Sequence, residues 1–298
     1  MKKAFIIILI IGAALLIVGG IVFTATMAKN NWDFSILSNA VAEQKNYSVN
    51  SDGIQKIALE ASTQDVTFVT ADVETVSVDY FTVTSKKGKL ISDFTFTVSD
   101  GVLTIKEENY PASFAPGFNT YNDDIVIKVP ASKEFAIDFK LSTGDVSFGE
   151  KDKEIKLPSL KIETDTGNSN VHANIICAGD INVKATTGNI TFEGTAVSEN
   201  ADMTCSTGKV NTKGKFFAKK INIKTGTGKV TCDNIDADEL NVECSTGDVT
   251  LKMSGVRNDY SFTGTASTGD VNPTSFVAGA KMIKVKTSTG DITVTFAE

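Results

Sequence analysis

Apolar and polar residues alternate along most of the chain after residue 50, and the alternation itself repeats. A Thr-Gly dipeptide recurs every 19 to 23 residues from Thr143 to Gly290, giving eight copies. Mostly apolar residues stand six and four positions before each threonine, and three and five positions after it. A period of two is typical of half-buried strands, and the change of phase at Thr-Gly indicates a bend. Each repeat is therefore predicted to be a strand, a corner and a second strand.

The glycine of each copy is predicted to form the corner, where the backbone needs a positive φ or lies close to a neighbouring chain. A ninth, earlier copy around Thr63 keeps the apolar columns but has Gln64 in place of glycine. The eight corner glycines are Gly144, Gly167, Gly188, Gly208, Gly228, Gly247, Gly269 and Gly290.

One repeat of about 21 residues is too small to bury a core alone, so neighbouring repeats must cover it. Copies stacked about 4.8 Å apart would pair each strand on both sides and join the apolar columns. The sequence thus predicts an all-β fold, a parallel β-solenoid (β-helix) of about nine coils. A sandwich of short antiparallel strands is the alternative.

Residues 70–135 interrupt the period, and four strands are predicted there. They are expected to form an antiparallel insertion that caps the first coil, with a hairpin turn at Ser99-Asp-Gly101. The other end of the stack would be open at the C-terminal strand ITVTFAE, where self-association or another molecule could cover the edge. The predicted strands are 76–83, 93–98, 102–106 and 125–129.

The insertion contains the segment YPASFAPGFNTY (110–121), which carries four aromatic residues. Exposed rings on such a loop would suit a sugar, lipid or peptide partner, whereas a lid over the end of the stack is the alternative. The candidate binding residues are Tyr110, Phe114, Phe118 and Tyr121.

The N-terminus has two lysines followed by an uncharged stretch over residues 4–26, which is long enough to span a membrane as a helix. Cleavage as a signal peptide after Ala28 is the alternative. The lysines place the N-terminus in the cytoplasm and the β domain outside a single-pass cell-membrane anchor. The predicted domains are an anchor or signal peptide (1–28), a linker (29–49) and a β ectodomain (50–298).

The formal net charge is −7, and Arg257 is the only arginine. Nucleic acid is therefore not an expected partner, since its recognition relies on basic surfaces and bidentate arginine contacts. His172 is the only histidine. A catalytic triad would need it and a two-histidine metal site is impossible, so no enzyme and no cofactor are expected. We expect His172 at the surface.

A polar residue follows each corner glycine, which predicts an outward column. Within it, Asp248, Asp270 and Asp291 would lie on successive coils, close enough to hold a cation such as Ca²⁺. Lys209 and Lys229 in the same column oppose a metal site. The alternative is that each side chain bonds its own backbone.

Four cysteines could form disulfides in an exported protein. Cys205 and Cys244 occupy one column two coils apart, which exceeds the limit of about 7 Å for a disulfide. Cys177 and Cys232 lie elsewhere on their coils. We predict four free, buried thiols, with a Cys205–Cys232 bridge as the alternative.

The copy ending QDVTF, the segment DDIVIKVPASKEFAIDFKLSTGDVSF and the recurring STGDV, STGKV and STGDI motifs resemble the DUF4097 family. The resemblance covers about residues 50–298. The family contains bacterial β-strand-repeat proteins regarded as candidate adhesins, some of them associated with the Lia-type envelope-stress system of Gram-positive bacteria.

This resemblance implies a non-enzymatic surface module, tethered at the membrane, that meets an envelope component or a protein partner. A regulator or sensor in envelope-stress signalling is one alternative. A polysaccharide-active solenoid enzyme is the other, disfavoured because no pair of carboxylates is evident.

Overall fold

The structure, a computed structural model, describes residues 2–29, 31–32, 40–109 and 124–298. Residue contacts divide the chain into two units, and each is described by itself. We call the larger one the β body. It comprises Gln44–Thr82, Ser92–Asn109 and Asp123–Glu298. The smaller unit comprises Met1–Glu43, Val83–Ile91 and Tyr110–Asn122.

The smaller unit contains helix α1, Lys2–Lys29, whose side chains are described from Leu15 onwards. It also contains a turn in which the Ser85 amide donates to the Lys89 carbonyl at 2.7 Å. Over the residues that the structure describes, no helix combines the length and the apolar character needed to cross a membrane. The membrane anchor stays a prediction.

Strands make up nearly all of the regular structure after α1. The first nine are β1 (Ala40–Asn50), β2 (Lys56–Ala61), β3 (Val66–Ala71), β4 (Thr75–Ser85), β5 (Leu90–Ser99), β6 (Val102–Asn109), β7 (Ile125–Pro130), β8 (Ala136–Thr143) and β9 (Val146–Phe148). The next eight are β10 (Glu154–Leu157), β11 (Leu160–Thr166), β12 (Ser169–Val171), β13 (Asn174–Cys177), β14 (Ile181–Thr187), β15 (Ile190–Phe192), β16 (Ala196–Thr207) and β17 (Val210–Thr212). The last seven are β18 (Phe216–Thr227), β19 (Val230–Thr246), β20 (Val249–Val256), β21 (Tyr260–Thr268), β22 (Val271–Asn272), β23 (Lys281–Thr289) and β24 (Ile292–Ala297). A 3₁₀ turn, Arg257–Asp259, precedes β21.

Three parallel ladders run through the β body. The first joins the strands before the corners in the order β6, β2, β8, β11, β14, β16, β18, β19, β23, β21. The second joins the strands after the corners in the order β7, β3, β9, β12, β15, β17, β19, β20, β24, β22. The third joins β10, β13 and parts of β16, β18, β19 and β20.

Equivalent residues of neighbouring repeats are paired in register. Leu160, for example, pairs with Ile137 on one side and with Ile181 on the other. All three side chains are buried, so the apolar columns predicted from the sequence form a continuous core. The β-rich repeat fold is thereby confirmed.

The insertion is only partly antiparallel. Strand β5 pairs antiparallel with β6, and β4 pairs antiparallel with β7, as predicted. However, β6 and β7 also pair in parallel with β2 and β3. These two strands therefore belong to the parallel ladders, because their inward residues such as Leu103 and Ile127 continue the apolar columns.

The order of the last strands departs from the order of the sequence. Strand β23 lies between β19 and β21, and β24 lies between β20 and β22. The edge predicted to be open at ITVTFAE is therefore covered in part, since β24 pairs with β20 along most of its length and with β22 at Ile292 and Thr293. The last strands in the ladders are instead β21 and β22.

A segment of the chain itself caps β21. Phe262 and Phe276 exchange two backbone hydrogen bonds, of 2.9 and 3.0 Å. The Phe276 ring contacts the rings of Phe262 and Phe296, and the Arg257 guanidinium lies 4.3 Å from its centroid. This segment blunts an edge that could otherwise pair with another chain.

The first corner explains Gln64, the residue in place of a glycine. Its side-chain amide donates to the buried Glu107 carboxylate at 2.8 Å. The same carboxylate accepts from the Ser92 hydroxyl at 2.7 Å and from the Ser62 amide at 2.6 Å. Gln64 therefore satisfies a buried acid, which a glycine could not do.

Candidate functional site

The Thr-Gly corners are packing features of the fold. Gly208 and Gly228 have φ values of +147° and +145°, a region that L-residues with a Cβ rarely adopt. The Gly208 amide donates to the Thr227 carbonyl of the next repeat at 2.9 Å. A Cβ on Gly228 would overlap the Gly208 carbonyl oxygen. Close stacking of the backbone therefore requires glycine at these corners.

The residue two positions before the corner threonine donates to corner carbonyls. The Cys205 thiol contacts the Gly188 oxygen at 3.0 Å, and the Thr225 hydroxyl contacts the Gly208 oxygen at 3.3 Å. In the same column, the Cys244 thiol contacts the Gly228 oxygen at 3.4 Å. The thiol of cysteine and the hydroxyl of threonine therefore have the same structural role here, which is to donate to a corner carbonyl. The thiol is the weaker donor.

All four cysteines are free and buried, as predicted. Burial raises the pKa of the Cys232 thiol to about 12. It also raises the pKa of Cys177, Cys205 and Cys244. A high pKa disfavours the reactive thiolate, so none of these thiols is prepared as a nucleophile.

The polar column after the glycines bonds from one repeat to the next. The Asp145 carboxylate accepts from the Asn168 backbone amide at 2.7 Å, and the Asn168 side-chain oxygen accepts from the Asn189 amide at 2.9 Å. The Asn189 side-chain oxygen accepts from the Lys209 amide at 2.9 Å. These side chains therefore bond the neighbouring repeat rather than their own backbone.

The three aspartates proposed for a cation lie in the order Asp248, Asp291, Asp270 because β23 and β24 are inserted. Asp248 accepts from the Asp291 amide at 3.2 Å, and Asp291 accepts from the Asp270 amide at 2.9 Å. Lys229 binds Asp248 at 2.7 Å and holds the pKa of that carboxyl below its usual range. Within the described ranges, no group of three or more His, Cys, Asp or Glu residues suits a metal ion.

His172 lies at a second corner, where residues of neighbouring repeats form an ion-pair column. Its Nδ1 lies 2.8 Å from the Glu193 carboxylate, which Lys213 also binds at 2.7 Å. Lys213 and His172 hold the pKa of Glu193 below its ordinary value. His172 is half-buried rather than fully solvated. No nucleophilic side chain is hydrogen-bonded to its ring among the described residues.

The outward face of the first ladder carries alternating charges. Glu60 pairs in register with Lys106 and Lys140, and Glu163 pairs with Lys140 and Lys184. Opposite charges on adjacent strands stabilise a sheet, whereas like charges destabilise it. The charges along this part of the face are therefore compensated.

The compensation is incomplete at the far end of the same face, where a groove of about 340 Å³ crosses β18, β19, β23 and β21. We call it the lysine groove. It contains three lysines and one glutamate. The outward side chains that line it are Asn222, Lys224, Asn241, Glu243, Thr263, Thr265, Lys284 and Lys286.

A short apolar stripe on the third ladder was not predicted. Ile176, Val197 and Phe217 are register neighbours on adjacent strands, and the first two are each 40% exposed. Lys156 and Asp236 flank them in register. Extending the repeat alignment to the tenth residue after each corner threonine would have revealed this column.

The predicted aromatic binding residues, Tyr110, Phe114, Phe118 and Tyr121, lie outside the described residues. The strands on either side of them are β6 and β7, which pair with β2 and β3. Strand β6 belongs to the ladder before the corners and β7 to the ladder after them.

Comparison with solved structures supports the fold. The chain is similar to a candidate adhesin from Bacteroides fragilis, with a TM-score of 0.50 and 13% identity over 85% of this chain and 97% of that one. A candidate lipid-binding protein from Parabacteroides distasonis gives a TM-score of 0.46 and 13% identity, covering 86% of this chain and 97% of that one. At these identities, the likeness to the first shows the fold alone.

Comparison with curated proteins found no match. The family model described as Toastrack DUF4097 matches residues 54–298, which include nearly all of the β body. The chain therefore belongs to the DUF4097 family, as the motifs of its repeats indicated.

Proposed function

We propose that this protein is a non-enzymatic, adhesin-like surface module that binds an envelope component or protein partner through the outward face of its repeats. One observation carries the proposal. Outward side chains form columns that continue across adjacent strands, and one of them opens into the lysine groove. Such columns suit an extended ligand.

In the described part of the β body, the cysteines and the histidine are held in structural contacts. Its thiols are buried with raised pKa values, and the His172 ring is hydrogen-bonded to an ion-paired glutamate. The naming of the Bacteroides fragilis protein as an adhesin candidate points the same way. The in-register ladders support a β-solenoid as the form in which the face is presented.

We further propose that residues 4–26 hold the β body at the outer side of the cell membrane, in a single pass with the N-terminus in the cytoplasm. The uncharged sequence of this segment supports the proposal. Cleavage after Ala28 would release the β body instead. Intact mass of the purified chain distinguishes retention from cleavage.

Surface exposure is tested by adding protease to intact cells that express the full chain with an epitope tag after Glu298. The tag should be lost while a cytoplasmic marker survives. A tag that is degraded only after lysis would contradict the surface location.

Binding is tested by comparing attachment of cells with and without the protein to isolated envelopes. Loss of attachment on deletion would support the module. Unchanged attachment combined with altered stress-gene expression would favour the regulator in envelope-stress signalling. If the aromatic segment contributes, Phe114→Ala should weaken attachment without changing the thermal melt of the β body.

A further inference from the structure

We infer that the lysine groove binds a hydroxyl-rich linear polyanion, a sugar or polyol chain bearing carboxylate or phosphate groups. Lys284 and Lys286 would bind the acid groups, and Thr263, Thr265 and Asn241 would bind hydroxyls. The inference rests on the proposed function, because the groove must face the outside of the cell to meet such a polymer.

The charge of the groove favours an anion. Lys284 pairs in register with Asn241 and Thr263, so neither adjacent strand places a carboxylate opposite it. Lys286 pairs with Glu243, but the Glu243 carboxylate lies 3.2 Å from the ammonium of Lys224. Within the lining, three ammonium groups thus share one carboxylate. Glu239, which is outside the lining, attracts Lys284 but lies 3.4 Å from the ammonium of Lys220, so four lysines share two glutamates in this region.

This local excess of positive charge stands out on an acidic protein, whose formal net charge is −7. Elsewhere on the same face, Lys140 has a glutamate on each adjacent strand, Glu60 and Glu163, whereas Lys284 has none. An anion in the groove is therefore attracted by a lysine that no glutamate on an adjacent strand opposes.

The shape of the groove favours a chain. Two rows of side chains border it, one running from Asn222 to Thr263 and the other from Lys224 to Thr265. Each row crosses four strands, which are about 4.8 Å apart, so the groove extends for about 14 Å along the stack. An elongated ligand can lie between the rows and contact side chains of successive strands.

The polar groups of the groove fit hydroxyls as well as acids. The Asn241 side-chain amide donates to Asn222 and Glu239 at 3.1 and 2.8 Å, which leaves its oxygen directed elsewhere as an acceptor. Thr263 and Thr265 are exposed and supply hydroxyls that can donate and accept. Lysine binds carboxylate and phosphate as a point charge, so both acids are suitable.

The lining contains neither an aromatic side chain nor an arginine. Single-stranded nucleic acids are bound largely by stacking on aromatic residues. A sugar or polyol polyanion is therefore favoured over a polynucleotide, which is also anionic and hydroxyl-bearing.

The inserted strand creates this site. Lys284 and Lys286 belong to β23, and they lie between the threonines of β21 and the Asn and Glu of β19 only because β23 separates those strands. If the strands followed the order of the sequence, Thr263 and Thr265 would lie next to β19, and Lys284 and Lys286 would lie on the edge strand.

The test uses the full chain in non-ionic detergent and measures dissociation constants by calorimetry for five probes. Polygalacturonate supplies carboxylates with hydroxyls, and poly(glycerol phosphate) supplies phosphates with a hydroxyl on each unit. Polyacrylate is an anion without hydroxyls, dextran is neutral, and polyuridylate is a polynucleotide. We expect one or both of the first two to bind more tightly than the other three.

The double variant Lys284→Gln, Lys286→Gln should weaken that binding by at least about tenfold. The control Lys140→Gln, Lys184→Gln removes the same charge from the same face. It should change the dissociation constant by less than about twofold. Both variants should keep the thermal melt of the parent chain. Comparison of the two bound polymers then identifies the preferred acid group.

Equal losses of affinity in the two double variants would overturn the inference, since they would indicate general electrostatic attraction of the polymer to the whole face. Tighter binding of polyuridylate or polyacrylate would also overturn it, as would absence of binding to any polymer. If no polymer binds while cells bearing the protein still attach to envelopes, this inference fails and the proposed surface function stands.

Discussion

Cys244 lies beside Thr287 in the parallel ladder, and not beside Ala266, the equivalent residue of the next repeat in sequence. The strand of Thr287 therefore separates two consecutive repeats. Lys281, at the start of that strand, binds both Asp236 carboxylate oxygens at 2.7 and 2.8 Å, and the Tyr260 hydroxyl donates to the same carboxylate at 2.8 Å. This cluster joins β19, β21 and β23.

The close stacking of corner glycines predicts a large effect of Gly228→Ala. The new Cβ would overlap the Gly208 carbonyl oxygen at a φ that disfavours alanine, so unfolding free energy should fall by at least about 3 kcal/mol in urea titrations. Gly53→Ala is the matched control. Gly53 also has a positive φ, but a Cβ added there would meet no atom within 4 Å, so about 1 kcal/mol is expected. Equal losses of unfolding free energy in the two variants would contradict the explanation by close stacking of the corners.

The cap on β21 predicts that Phe276→Ala destabilises the β body by about 2 kcal/mol, because the ring packs on Phe262 and Phe296. It should also promote self-association as the edge becomes accessible, which light scattering would detect. Val277→Ala should change neither property, since Val277 is 93% exposed. A Phe276→Ala protein that stays monomeric and melts like the parent would show that the segment is not a cap.

The buried Cys232 thiol predicts a loss of stability at alkaline pH. Its pKa is about 12 in the folded chain, whereas an unfolded thiol ionises near pH 8.5. The stabilising contribution is therefore complete below pH 8.5 and declines as pH rises toward 12, by up to about 1.4 kcal/mol for each pH unit.

Cys232→Ala lacks this titration. Under reducing conditions, the stability advantage of the parent chain over the variant should shrink between pH 8 and pH 10 in urea titrations. An advantage that stays constant over this interval would show that the thiol ionises normally in the folded state.

Sequence periodicity predicted much of the fold because it depends on local rules. The apolar columns indicated which residues face inward, and the recurrence of glycine indicated the corners. The free state of Cys205 and Cys244 also followed, since two strand spacings exceed the reach of a disulfide.

The order of the last repeats could not be predicted from these columns, because every copy offers a similar inward face to its neighbours. The charges contained a weaker signal. Glu243 lies between Lys224 and Lys286 only when β23 is inserted, which continues the alternation seen around Glu163. The cap was missed because Phe276 belongs to an irregular segment after Pro273, outside the repeat period.

The candidate site was less predictable than the fold. The lysine groove depends on which strands are adjacent, and the sequence alone leaves that undetermined. The polar column was identified, but its hydrogen bonds run between repeats, as from the Asn168 amide to Asp145, rather than within one turn.

The inserted position of the C-terminal strands is tested most directly by disulfide trapping at Cys244. Thr287 is its register neighbour, at a strand spacing of about 4.8 Å, whereas Ala266 lies one strand further, at about 9.6 Å. Disulfides require Cα atoms within about 7 Å. After mild oxidation and peptide mass spectrometry, Thr287→Cys should yield a disulfide to Cys244 and Ala266→Cys should not. A disulfide from Ala266→Cys and none from Thr287→Cys would contradict the inserted order, and with it the lysine groove.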